Sequence, residues 1–244
     1  MKSGLGGMWA WLTDPAHWTG TESVPQRVLE HLGYTVLTMV ITLVIAIPLG
    51  AWIGHTGKGG FLVVGFANGL RALPTLGLLV LLASAVGIGL LGPLVSLVIL
   101  AVPAVLAGTY AGIRNIDAAV IDAALGMGMR GREILWKVEL PNAAPLIIGG
   151  VRGALLQVIS TATIAAFVGL GGLGRIIIDG LAVGIPQMAA GALLVALLAI
   201  AADLLLSGLQ RLIVSPGLQA VPTGRRRLRP VPDPHASDTA RAPA

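Results

Sequence analysis

Charges divide this chain into long apolar runs. Residues 32–57 carry no charge, 59–70 and 72–113 are interrupted only by Arg71, 153–174 is uncharged, and 180–210 contains only Asp203. Crossing a hydrocarbon core of ~30 Å takes about 20 helical residues. Five spans fit this pattern best, at about 32–53, 60–82, 92–114, 145–168 and 187–213. Pro74, Pro93 and Pro103 punctuate 60–114, so three short helices in that stretch, and six spans in all, are the alternative. The runs are continuous and of helical length, unlike the alternating ten-residue segments of a closed barrel. The pattern predicts an all-α fold, a polytopic membrane helical bundle of about five transmembrane helices.

Composition agrees with a bilayer location. Only 11% of the 244 residues are charged, less than half the roughly 25% carried by a soluble domain. With no Cys, disulfides, thiolate nucleophiles, zinc ribbons and iron–sulfur clusters are excluded. The four histidines, His17, His31, His55 and His235, lie near or outside predicted membrane edges, which argues against a His-based catalytic or metal centre within the bilayer. Glycine, at 34 residues, is about twice as frequent as usual, which suits close helix packing in lipid.

Lys and Arg placement sets the orientation. With the N-terminus outside, the cytoplasmic parts hold Lys58, then Arg114, Arg130, Arg132 and Lys137, then Arg211, Arg225, Arg226, Arg227, Arg229 and Arg241, while only Lys2, Arg27 and Arg175 fall outside. The chain then divides into an extracytoplasmic or interfacial segment over 1–30, a transmembrane domain over 31–214 and a disordered cytoplasmic tail over 215–244. The N-terminal segment lacks the apolar core of a signal peptide. Its Trp9, Trp11 and Trp18 are expected at the bilayer surface, a docking surface for an extracellular partner being the alternative. The Pro-, Arg- and Ala-rich tail cannot bury a core, and its Arg225–Arg229 cluster suits lipid headgroups.

The cytoplasmic loop at about 115–144 is not composed like a disordered segment. Asp117 and strong helix formers begin it, acidic residues near a helix N-terminus being favourable, and Gly126, Gly128 and Gly131 end that first helix. A second amphipathic helix, about 132–139, offers Ile134, Leu135 and Val138 to one side, and Pro141 sets the boundary before the next span. Two short helices across a membrane face, the first lined with small Ala residues, make a docking shape for another protein.

The spacing in this loop is specific. Asp122-Ala123-Ala124, three residues, Gly128, nine residues, Val138, one residue and Leu140-Pro141 resembles the EAA loop of ATP-binding-cassette importer permeases, with Glu changed to Asp at 122 and Ile to Val at 138. Further on, the segment from Ile159 to Gly174 and the stretch Arg71-Ala-Leu-Pro74-Thr75-Leu-Gly-Leu-Leu are similar to the osmoprotectant subgroup, which handles glycine betaine, carnitine and choline. Methionine-importer permeases share the loop and a similar Gly-rich segment. The resemblance, over about residues 28–213, implies the type I importer fold and coupling helices seated on a cytoplasmic ATPase dimer. It also implies a second permease subunit, identical or homologous, and an extracytoplasmic substrate-binding protein. ATP and Mg would be bound by the ATPase subunits, with no cofactor, metal or catalytic residue in this chain.

Other features are weighed against that reading. Gly169-Leu-Gly171-Gly172-Leu-Gly174 satisfies the dinucleotide fingerprint literally but comes after a membrane span without a βαβ unit, so it reads as a flexible, close-packing bend. Gly57-Lys58-Gly59-Gly60 lacks the rest of a phosphate loop. An intramembrane enzyme would need a nucleophile–base or carboxylate pair at membrane depth, yet Asp203 is the single acidic residue in a predicted span. In the fourth span Gln157, Ser160, Thr161 and Ile164 share one face; the polar three line a translocation path or bond to neighbouring helices and their own backbone. Arg152, Arg71 and Asp203 lie roughly 10–17 Å from the cytoplasmic helix ends, and Asp203 is expected to pair with Arg152 or Arg71. Aromatic residues, at 4%, offer no evident cage for a quaternary ammonium, consistent with recognition in a separate binding protein.

Overall fold

The computed structural model describes residues 4–87 and 89–213, apart from the side chains of residues 62, 64, 68, 71 and 213. The predicted tail over 215–244 lies outside the described residues. Ten α-helices succeed one another: α1 (Gly4–Thr13), α2 (Val24–Thr56), α3 (Gly60–Arg71), α4 (Thr75–Val86), α5 (Leu91–Arg114), α6 (Ala118–Gly126), α7 (Gly131–Ile134), α8 (Leu140–Ala165), α9 (Leu173–Val183) and α10 (Ile185–Ile213). A π-helical turn, Leu135–Glu139, joins α7 to α8 without a break.

Helix α5 is the centre of the bundle, with α2 against one face and α8 against another. Lipid tails are as apolar as leucine, so helices in a bilayer associate through close packing rather than a hydrophobic drive. Small residues at four-residue spacing supply that packing twice. On α2, a Cβ at Gly50 would strike Thr109 and the Leu106 carbonyl of α5, and one at Gly54 would strike Ile113. On α5, Gly108 and Gly112 lie against the backbone of α8 at Leu146, Gly150 and Ala143. Met39, Ala46, Val102, Val105, Ala154 and Val158 fill the layer around these contacts.

The predicted span over 60–82 is two helices of twelve residues. Pro74 takes the N-cap position of α4 in extended conformation, so the chain cannot continue helically through it. The two halves nevertheless make one crossing beside α5. Gly60 meets Tyr110 near one end, Val63 packs with Val102 and Leu106, Leu79 with Leu97, and Ala83 meets Gly92 at the other end. Five crossings result: α2, α3 with α4, α5, α8 and α10. The three helices that the six-span alternative placed over 60–114 are thus present, but the two short ones together run the length of α5 once, and the other two prolines do not break α5. Pro93 lies in its first turn, where no N–H is missed. Pro103 sits mid-helix, and at this disturbed turn Gln157 of α8 donates its Nε2–H to the Leu100 carbonyl, 3.1 Å away.

One further expectation is corrected. The loop's second helix does not stop at Pro141. Residues Gly131–Val168 form one continuous rod of 38 residues, ~57 Å long and much longer than the bilayer core. Pro141 falls in the first turn of α8 after the π turn, and Asn142 Nδ2 donates to the Val138 carbonyl at 2.7 Å. The three N-terminal indoles differ in their surroundings. Trp9 and Trp18 are exposed, but Trp11 stacks on His17 at a centroid distance of 4.0 Å and packs against Val24, Leu173 and Ile176. Helix α9, unpredicted, covers these residues and packs on α10.

The contact between α5 and α8 leaves no room for a methyl group at Gly150, where a Cβ would press on the Ala104 carbonyl and Gly108. Gly150→Ala is expected to destabilise the bundle by about 1–3 kcal/mol, the usual penalty of overpacking. Gly33→Ala, on an open face of α2, is expected to gain about 0.5–1 kcal/mol of helix propensity. Thermal unfolding of both variants in detergent, monitored by loss of the monodisperse chromatographic peak, checks the opposite signs.

The candidate coupling loop and the polar residues behind it

The loop begins with a capped helix. Asp117 in extended conformation accepts from the Ala119 N–H at 2.9 Å at the start of α6. That helix ends in a Schellman motif: Met129 N–H donates to the Ala124 carbonyl at 3.2 Å and Gly128 N–H to Leu125 at 2.9 Å. Gly128 has φ +80°, the left-handed conformation that this cap requires, with open space where a Cβ would stand. Asp122 and Ala123 point outward, whereas Ala124 is buried. Val120, Leu125, Met127 and Trp136 project apolar surface beside them, the last two 75% and 67% exposed. Sequence reasoning passes over Met127 and Trp136, since isolated apolar residues in a loop carry no periodic signal.

The second half of the loop is pinned to the bundle. Glu133 accepts from the Arg130 N–H at 3.0 Å and faces Lys137 at 3.5 Å. The Arg130 amide, and after it the Lys137 ammonium, hold this exposed loop carboxyl below the usual range. Leu135 and Leu140 pack with Ala51, Ile113 and Ala143, while Val138 is half-buried and Pro141 is exposed. Glu139, missed in the sequence, is buried and bonds to His55 of α2.

The three residues expected along a translocation path separate. Gln157 is spent on Leu100, Thr161 is buried in the bundle, and Ser160 is exposed while donating to the Leu156 carbonyl at 3.0 Å. Ser160 and Thr161 lie about 100° apart around the helix, one exposed and the other buried. Ser160 instead joins Gly149, Gly153 and Ile164 of α8, and Phe167 in the turn after it, on an open stripe. The expected ion pair is present with Arg152: its Nε and Nη2 both donate to the Asp203 carboxylate, tying α8 to α10. The Arg71 side chain lies outside the described residues.

On the opposite side of the bundle a second polar group appears. Glu30 accepts from the Gly172 N–H at 2.8 Å and is held by Arg27 at 3.0 Å. His31, fully buried, donates from Nε2 to the Ile159 carbonyl at 3.1 Å. Gly172 presses on His31 and Gly174 on Thr163, so the Gly-rich segment is closely packed. Among the described residues no cluster of His, Asp and Glu could hold a metal ion.

Residues 46–215, most of the bundle with the whole loop, match the family described as binding-protein-dependent transport system inner membrane component. The chain belongs to this family. Among relatives of this permease, the glycine betaine/carnitine/choline transport system permease protein OpuCB of Bacillus subtilis is 35% identical over 79% of this chain and 89% of its own. The choline transport system permease protein OpuBB of the same organism is 33% identical over the same shares. The osmoprotectant import permease protein OsmW of Salmonella typhimurium is 32% identical over 78% of this chain and 91% of its own. In fold, the permease resembles a chain of the inward-facing MetNI methionine ABC transporter, with a TM-score of 0.71 and 24% identity over 83% of this chain and all of that one.

In this permease Arg152 and Asp203 cancel each other's charge in the membrane. Removing one partner leaves the other uncompensated. Arg152→Met and Asp203→Leu are each expected to lower the yield of folded protein to about a third, with the double variant recovering most of it because no lone charge remains. Membrane yield and fluorescence-detected chromatography of the four proteins check this; a double variant as poor as the product of the singles contradicts it.

Proposed function

We propose that this permease is the membrane subunit of an ATP-binding-cassette importer for osmoprotectants such as glycine betaine, choline, carnitine or proline betaine. The observation that carries this reading is α6 with its glycine cap, a rigid, outward-facing helix with the EAA spacing, in a chain whose relatives are osmoprotectant permeases. The loop side holds the larger share of Lys and Arg, so it faces the cytoplasm, with the N-terminus outside and the C-terminus inside. There α6 seats on an ATPase dimer that binds ATP and Mg. A second permease subunit completes the pathway, and an extracytoplasmic binding protein selects the substrate.

In this mechanism, closure of the ATPase dimer on ATP draws the two loops together. Each loop moves its rod, and the cavity between the permeases alternates between its two faces. Asp122, Ala123, Ala124 and Gly128 carry the motion, the first two by contact with the ATPase and the last two by holding the cap. The chain contributes no catalytic group. The open stripe of α8 with Ser160, Gly149 and Gly153 suits the pathway or the partner permease better than Gln157 or Thr161 does. Methionine is the second candidate substrate, favoured by the fold of the MetNI permease.

Radiolabelled uptake in a strain lacking its own systems, with the cognate ATPase and binding protein co-expressed, tests the reading. Uptake of at least one quaternary ammonium compound is expected; uptake of methionine alone overturns the substrate assignment. Gly128→Val, a β-branched residue forced to positive φ, is expected to lower uptake about tenfold or more with the protein still in the membrane, and Gly128→Asn to lower it less. Normal uptake by Gly128→Val at normal protein level counts against the coupling role.

A further inference from the structure

Helix α2 and the loop's π turn are far apart in sequence, yet a short side-chain bond joins them across 84 residues. His55, in the last turn of α2, donates from Nδ1 to Glu139 Oε2 at 2.7 Å. Glu139 is almost wholly buried, at 6% exposure. The bond lies beside the apolar cluster in which Ala51 of α2 and Ile113 of α5 meet Leu135, Leu140 and Ala143. Apolar contacts of that kind are non-directional and can slide. A hydrogen-bonded carboxylate has one geometry and fixes the register of the two elements.

The π turn explains why Glu139 reaches α2. It inserts one residue into the rod, which rotates α8 by about 100° relative to α7. Leu140 N–H bonds to the Leu135 carbonyl, five residues back, and Glu139 is the last residue of that widened turn. π bulges occur often at functional sites. The imidazole edge with Nε2 faces Gly131, the first residue of α7, and the two line one cavity with Arg130, Arg132 and Glu133, so one ring bonds to the end of the π turn and faces the start of α7.

We propose that Glu139 and His55 are positioning residues that carry movement of the coupling loop directly into α2, in parallel with the route along α8. This rests on the importer reading above. Movement of α6 and α7 then reaches two spans at once, and the first span shifts with the fourth instead of remaining a passive wall.

The full complex in proteoliposomes, with its ATPase and binding protein, gives the test. His55→Ala and Glu139→Ala are each expected to raise the ATP hydrolysed per substrate imported by about fivefold, the lower range of coupling between sites, with the ATPase still bound. The double variant should be no worse than either single, because all three lack the same bond. Glu139→Gln, which keeps an acceptor for the imidazole N–H, should recover most of the coupling. An unchanged ratio in both single variants, or a double effect equal to the product of the singles, overturns the proposal. If Glu139→Ala does not accumulate, His55→Ala and Glu139→Gln decide it by the same ratio.

A second readout separates this proposal from the importer reading. The chain has no Cys, so spin labels can be placed at Lys58→Cys and Arg132→Cys without background. A single narrow distance is expected with the pair intact and a broadened or shifted one in His55→Ala. Identical distributions overturn the contact's positioning role whatever substrate the complex carries. Absence of any ATP-driven uptake by the unaltered complex, with the distances behaving as expected, removes the importer reading instead.

Discussion

Helices in a bilayer lack the solvent that drives a soluble core together, and this bundle depends on the closeness with which α5 meets its two neighbours. Gly50 and Gly54 let α2 approach one side of α5, and Gly108, Gly112 and Gly150 let α8 approach another. The polar ties have meaning only inside that frame. Gln157 reaches the Leu100 carbonyl beside the Pro103 turn because α5 and α8 are nearly in backbone contact. The His55–Glu139 bond forms because the same packing brings the loop end of α2 beside the π turn. The glycine excess, visible as composition, is thus a set of specific contacts.

The loop motif has a local physical basis. Ala124 and Gly128 stand four positions apart because they are the two ends of one helix cap, the carbonyl that receives the sixth residue's N–H and the left-handed residue that makes this geometry possible. That part of the motif is a folding rule, independent of any partner. The Asp122 and Ala123 side chains are exposed and take no part in this cap, so on the proposed function their constraint comes from the ATPase that seats on the helix.

The spans are legible in the sequence because charge is expensive in lipid, and so is the loop, whose cap is a short-range signal. The pairing of Asp203 with Arg152 can be anticipated from the cost of an isolated charge at depth. Proline is ambiguous: Pro74 ends a helix and Pro103 does not. Beside Pro103 the Leu100 carbonyl takes a bond from Gln157, a side chain of another helix 57 residues away, which no local pattern announces. The contacts of Trp11 are not legible because an exposed indole and one covered by α9 look alike in the sequence. Glu139, His55, Glu30 and His31 escape it for a related reason. Each works through a partner on a distant segment, and none belongs to a periodic pattern.

The rod of 38 residues has one more property. Its close contacts with α5 at the glycines run from Ala143 to Gly150, and the last of them falls 19 residues from Gly131 and 18 from Val168. Arms of ~28 Å extend on either side of that point, one ending at the cap and the other beside the segment held by Glu30. The two arms are of equal length, so on the proposed mechanism a tilt of the rod about this point would carry its two ends by equal distances in opposite senses.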